Sequence, residues 1–189
     1  RSIVNAICNT NDRLHVRYPQ LRVELSREVS FITTQELEDL YPDMTGSERE
    51  KAYVREHPTA CIMQIGGALR SGKPHDGRAP DYDDWTLNCD IFFWDEVLGR
   101  ALEISSMGIR VDAEALDRQL TASGCDDRRM MPFHQMLLND ELPLTIGGGI
   151  GQSRLSMILL GKCHIGEVQA SVWTEETQRE CAARGVMLL

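Results

Sequence analysis

The stretch Leu144-Thr145-Ile146-Gly147-Gly148-Gly149-Ile150-Gly151-Gln152-Ser153-Arg154-Leu155 decides how this chain is read. A strand-like run enters three consecutive glycines, and Gln152-Ser153-Arg154 then opens a helix carrying Leu155, Ile158 and Leu159. Glycine has no Cβ, so its backbone can come close to a ligand. An arginine just beyond can meet a phosphate or stack on a base. Two familiar phosphate loops are excluded. G-x-x-x-x-G-K-[ST] is absent, and G-x-G-x-x-G fails because Arg154 stands at the place of its third glycine. A glycine-rich strand packed tightly on a helix fits these residues equally well.

Upstream lies Glu103-Ile104-Ser105-Ser106-Met107-Gly108-Ile109-Arg110. Strand residues alternate between faces, so Glu103 and Arg110 fall on opposite sides unless the strand is interrupted. Ser105-Ser106-Met107-Gly108 is the expected interruption, with a bulge at Gly108. Glu103 and Ser106 can then offer oxygens to Mg²⁺ while Arg110 pairs with a carboxylate. A surface salt bridge is the alternative. Further upstream, residues 70 to 86 are rich in Gly, Pro and charge and form an irregular loop. Its Arg78-Ala79-Pro80-Asp81-Tyr82-Asp83-Asp84 can hold an ammonium group or simply face water. His75 can act as an acid or base, but no partner for it is visible. His134 and His164 are expected in packing or at the surface. No H-x-x-x-H pair and no G-x-S-x-G occurs, which leaves zinc and serine-hydrolase readings without support.

The 189 residues, 42% of them hydrophobic, suit one soluble domain with its own core. A net charge of −9 argues against non-specific nucleic-acid binding. No run is long enough to cross a bilayer. The six cysteines are scattered without a C-x-x-C pair, which suits reduced, mostly buried thiols in the cytoplasm. Helical spacing is expected from Ser2 to about Arg17. Capping boxes at Thr33/Glu36 and Thr45/Glu48 start two more helices. Strands are expected at Val29–Ile32, Cys61–Ile65, Ile91–Trp94 and Leu98–Ser105. Helices follow from Asp112 to about Ser123 and between Pro132 and Leu138. Strands and helices do not alternate regularly, which favours an α+β fold with an antiparallel sheet.

Taken together and in order, the motifs resemble a known family. Gly147-Gly148-Gly149-Ile150-Gly151-Gln152-Ser153-Arg154 looks like motif 3 of class II aminoacyl-tRNA synthetases, nearest the aspartyl and asparaginyl subgroup, with Ser153 where an acidic residue is usual. Trp94-Asp95 through Arg110 resembles that subgroup's metal-and-substrate strand pair. Arg78-Ala79-Pro80-Asp81-Tyr82-Asp83-Asp84-Trp85, Glu103 to Asp112 and the Gln-Ser-Arg ending look specifically like the ammonia-dependent asparagine synthetases, along the whole chain.

This resemblance implies a class II synthetase-like antiparallel sheet flanked by helices, with residues 1–189 forming the C-terminal part of the catalytic domain. Motifs 1 and 2, in the family's N-terminal half, are not in this sequence. Trp85-Thr86-Leu87-Asn88 looks shorter than the family's loop at that point. The implied reaction converts aspartate and ATP to β-aspartyl-adenylate and pyrophosphate, and ammonia then attacks the adenylate to give asparagine and AMP. Arg154, Glu103 and Arg110 would be catalytic. Asp83, Arg78, Arg110, Gly148 and Gly149 would bind aspartate. Glu103, Ile104, Ser105, Ser106, Ile150 and Arg154 would bind ATP. Glu103 and Ser106, with Asp95 a weaker candidate, would hold Mg²⁺. The family implies a cytoplasmic homodimer acting on small molecules, without nucleic acid or membrane. The alternative is the catalytic end of an asparaginyl- or aspartyl-tRNA synthetase.

Overall fold

The computed structural model describes the whole chain, residues 1–189. Helix α1 (Ser2–Arg17) turns Val4, Ile7, Cys8 and Asn11 inward, the spacing of one helical face. Strand β1 (Ser30–Thr33) runs directly into α2 (Thr34–Leu40), and α3 (Gly46–Glu56) follows. Both capping boxes form. The Thr33 and Thr45 side chains accept from the amides of Glu36 and Glu48, whose carboxylates accept the cap amides in return. Strand β2 (Thr59–Met63) ends two residues earlier than the sequence suggests. Gln64 adopts a positive φ of 61°, which breaks the pleat.

Strands β3 (Asp83–Asp95) and β4 (Arg100–Arg110) form a long hairpin, more extended than the short runs expected from apolar residues alone. Leu98 is in the turn rather than in a strand. Asp95 Oδ1 accepts the amides of Val97 and Leu98, and Gly99 supplies a φ of 59°. Helix α4 (Ala113–Ala122) is capped by Asp112, and α5 (Pro132–Leu138) opens on proline. Strand β5 (Ile146–Ile150) leads through Gly151 into α6 (Gln152–Leu159), and α7 (Glu175–Ala183) lies near the C-terminus.

The sheet order is β1-β2-β3-β4-β5. The sheet is antiparallel, as expected, apart from one pair, because β1 and β2 run in parallel. Two helices, α2 and α3, join them, and such a crossover returns the chain in the same direction. The remaining pairs are antiparallel.

Each face of the sheet has its own core. On one, Ile91, Phe93, Leu102 and Ile104 pack against α1 and against Met157, Ile158 and Leu159 of α6. On the other, Phe92, Ala60 and Ile62 meet Leu37, Tyr53 and Val54 of α2 and α3. Val111, Leu116, Leu120 and Leu137 form a third cluster around α4 and α5. Each Val, Leu, Ile, Phe or Met side chain among them, fully buried, contributes about 1.5–3 kcal/mol. On this face α3 reaches β3 and β4, and the charged residues gather beyond it where β3, β4 and β5 adjoin. Three cysteines are buried and Cys163 is exposed, so the thiols are less uniformly buried than expected. No helix is long and apolar enough to cross a membrane.

Candidate active site

The interruption of β4 that the sequence required exists, but not at Gly108. Phe92 pairs with Glu103 and Ile91 with Ser105, which leaves Ile104 as an extra, bulged residue. Ile104 and Ser105 therefore turn to the α1/α6 side, where both are buried. Glu103, Ser106, Gly108 and Arg110 all share the other face. Gly108 instead provides space. A Cβ there would come within 2.9 Å of Asp83 Cγ and 3.0 Å of Asn88 Cβ. Gly147 does the same on β5, because a Cβ at 147 would fall on the Arg110 guanidinium.

Three ion pairs occupy this face. Arg110 pairs with Asp83 and lies over the Tyr82 ring, its guanidinium carbon 3.9 Å from the centroid. Arg78 pairs with Asp90. Arg154, reaching over from α6, is 3.3 Å from a carboxylate oxygen of Glu103 and 3.2 Å from its carbonyl. A cleft of about 660 Å³ adjoins them, lined by Glu50, Asp76, Asp90, Phe92, Glu103 and Arg154 among others. Its size is that of a small-molecule site.

Asp90 was not identified from the sequence. It is 4% exposed, and burial pushes its carboxyl up to about 6, with Arg78 and Ser106 pulling it back and Glu103 adding to the rise. The available signal was an acid inside the apolar run Asp90-Ile91-Phe92-Phe93, since an aspartate is rarely buried without a purpose or a partner. Gln119 was also missed. Its buried amide donates to the carbonyls of Pro80 and Asp83 at 2.9 and 3.0 Å and accepts the Trp85 amide at 2.8 Å, so it fixes the backbone that carries Asp83. Nothing in the sequence around Gln119 signals this contact.

The aspartates of the loop do not simply face water. Asp81 meets Arg128, Asp83 meets Arg110 and Asp84 meets Arg118. His134 is neither mere packing nor surface, because its Nε2 lies 3.0 Å from Asp81 Oδ2. His164 caps a short 3-10 turn, Ile165–Glu167. His75 has a partner after all in Glu50.

Several expected residues point elsewhere. Asp95 lies on the α1/α6 face at the hairpin turn, with one carboxylate oxygen held by turn amides, so it is not brought to Glu103 and Ser106. The Ser105 hydroxyl donates to the Gly149 carbonyl at 2.9 Å, and the Ile104 side chain is in the core. Only their backbones could face a nucleotide. Gly148 faces Met107, whose side chain leaves no space for a Cβ. Gly149 has open space beside it, and Ile150 sits half-exposed on the edge strand.

The chain has relatives among known proteins. A family model described as aspartate–ammonia ligase matches residues 1–185. The aspartate–ammonia ligase of Levilactobacillus brevis is 54% identical over the whole chain, which covers 56% of that protein. That of Lactobacillus acidophilus is 56% identical over 99% of the chain and 56% of its own length. The chain thus spans about half the length of the relatives it matches. Among solved structures, aspartyl-tRNA synthetase of Entamoeba histolytica aligns with a TM-score of 0.58 at 18% identity, covering 89% of this chain and 38% of that one. Asparaginyl-tRNA synthetase of Pyrococcus horikoshii also gives 0.58, at 16% identity, over 87% of this chain and 41% of its own. At such identities the likeness is one of fold, and the fold is that of the class II synthetases. A family model matched along almost the whole chain, and relatives more than half identical over its full length, show that this protein belongs to the aspartate–ammonia ligase family.

Proposed function

We propose that the protein joins ammonia to L-aspartate at the expense of ATP. The β-carboxylate attacks the α-phosphorus and pyrophosphate leaves. Ammonia then attacks the acyl carbon of the β-aspartyl-adenylate and AMP leaves, giving asparagine. The observation that carries this reading is the Arg110–Asp83 pair, sunk in the face that Gly108 and Gly147 open for it. Aspartate presents carboxylates and an ammonium group. In the free protein each residue neutralises the other, and on binding each exchanges its partner for the complementary group of the substrate. Neither charge is left uncompensated in a largely buried place, which is the condition for binding a zwitterion without a large penalty. Arg78 stands beside this pair on Asp90.

ATP fits the neighbouring cleft, with Arg154 able to stack on the base or hold a phosphate and Glu103 anchoring that arginine. Mg²⁺ fits the oxygen donors of this face: the carboxylates of Glu103 and Asp90 and the Ser106 hydroxyl. No three acidic, histidine or cysteine side chains converge into a cage. An Mg²⁺ ion held by one or two carboxylates would complete its shell with phosphates and water. When bound, it would offset the phosphate charge that opposes attack by a carboxylate. Asp95 does not fit this role.

The same reading makes the protein a cytoplasmic homodimer that acts without nucleic acid. Its six free cysteines suit a reducing compartment, and its net charge of −9 disfavours a polyanion. The test is to incubate the full-length protein with aspartate, ATP and labelled ammonium. Labelled asparagine, AMP and pyrophosphate are expected. ADP and phosphate would overturn the adenylate route, and charging of tRNA would favour the synthetase alternative.

A further inference from the structure

The segment from Gly66 to Asp83 has little regular structure, yet it is anchored at intervals. Ala68 and Pro74 form an isolated bridge. Arg70 pairs with Asp39 at 2.8 Å, and the Ser71 hydroxyl donates to Glu38 at 2.7 Å, both partners on α2. At the other end, Asp81 and the backbone of residues 80–83 are held by Arg128, His134 and Gln119. His75 lies between these anchors. Its side chain is 1% exposed, and its Nε2 donates to Glu50 Oε1 on α3 at 3.0 Å. Its carbonyl sits against Gly46, the first residue of α3, where no Cβ would fit. Gly72 and Gly77 flank it with open space around both.

We propose that His75 is a positioning residue, which with Glu50 pins this segment to α3 and so delivers Arg78 to Asp90 beside the aspartate site. The proposal rests on the functional reading above. Three residues of chain span at most about 10 Å, so an anchor at His75 confines the backbone of Arg78. Without it, Gly72 and Gly77 give the stretch between Ser71 and Arg78 the freedom to wander, and Arg78 reaches Asp90 only part of the time. His75 itself is enclosed and acts through Arg78. Asp76, its neighbour, lines the same cleft as Asp90, Glu103 and Arg154, so the pin also sets that wall.

The test compares wild type, His75→Ala, His75→Gln, Glu50→Ala and the double alanine variant in the full-length protein. Three properties are read: thermal melting, aspartate-dependent exchange of pyrophosphate into ATP, and tryptic cleavage after Arg70 and Arg78. His75→Ala and Glu50→Ala should each raise the aspartate KM about tenfold, the scale of one hydrogen bond to a charged group, and in His75→Ala, which leaves the Glu50 carboxylate in the cleft wall, the ATP KM should rise far less. Cleavage in the segment should quicken. The double variant should be no worse than either single one. His75→Gln, whose amide N–H can reach the same acceptor, should recover most of the loss. It also carries the test if the alanine variant fails to fold. An unchanged aspartate KM in folded variants, or both KM values rising together with the cleavage pattern unaltered, would overturn the pin. Wild-type protein without exchange would overturn the functional reading instead, and the cleavage comparison would still decide whether His75 holds the segment.

Discussion

An alanine at position 147 would set its Cβ 2.7 Å from Cζ and 2.9 Å from Nε of Arg110. Nη2 is closer still, and ordinary contact begins at 3.4 Å, so the guanidinium must retreat by more than about 1 Å. Its ion pair with Asp83 and its 2.9 Å hydrogen bond to the Tyr82 hydroxyl both depend on its present position. Charge-assisted bonds of this kind hold over a narrow distance range and contribute about 1.5–3 kcal/mol each. Loss of one such bond to a substrate carboxylate corresponds to about a 10- to 150-fold weaker Kd for aspartate. Stability should change little by comparison. The displaced group is the flexible end of a side chain with some access to solvent, and replacing glycine stabilises by about 0.4–1 kcal/mol through the unfolded chain. Calorimetric titration of full-length Gly147→Ala with aspartate and with ATP, beside a thermal melt, separates these effects. Wild-type aspartate affinity in a folded variant would refute the reasoning, because it would mean that Arg110 has slack which the glycine does not provide. Weakening confined to ATP would assign Gly147 to the nucleotide instead.

Three further outcomes follow from the same geometry. Gly108→Ala should destabilise by about 1–3 kcal/mol, because Asn88 is tied to both the amide and the carbonyl of Ile65 at 2.8 Å and cannot yield. An unchanged melting temperature would contradict this. Asp90 titrates near 6 rather than 3.8 because burial opposes its charged form. A raised folded pKa gives a contribution that is full below the unfolded value and is lost as pH rises through 6, roughly 3 kcal/mol over that interval. Asp90→Asn should therefore remove the fall in unfolding free energy between about pH 4 and 6.5, and a variant curve parallel to wild type would refute the assignment. Arg154→Ala should raise the ATP KM at least about tenfold while moving stability by less than about 1 kcal/mol, since its pair with Glu103 is partly solvated. Wild-type use of ATP would remove Arg154 from the site.

Much of the local structure is readable in the sequence. The capping boxes at Thr33 and Thr45 place their helices because cap and third residue are a few positions apart, and the chemistry is complete within that span. Proline at 132 and the inward face of α1 are likewise local signals. Glu103, Arg110 and Arg154, singled out by their motifs, do come to one face of the sheet, and the parity argument showed that β4 needed an interruption. Its place was not readable, because a bulge is set by the partner strand: Ile104 is extra only relative to Ile91 and Phe92. The parallel pairing of β1 and β2 depends on how α2 and α3 pack, which no strand sequence records.

The site divides in the same way. The sequence by itself pointed to candidate residue types for the chemistry: an acid, a hydroxyl and two arginines, beside glycines that permit close approach. Tertiary structure decided which of them meet. It excluded Asp95, turned Ile104, Ser105 and Gly148 to the far face, and brought in Asp90, Gln119, His75 and His134. The reason is physical. Hydrogen bonding along a helix or within a turn is short in sequence, so the residues involved reveal it. The pairing of buried Asp90 with Arg78, the space that Gly147 leaves for Arg110 and the contact of Glu50 with His75 join residues 12 to 37 positions apart, and they exist only once the sheet and its helices have packed.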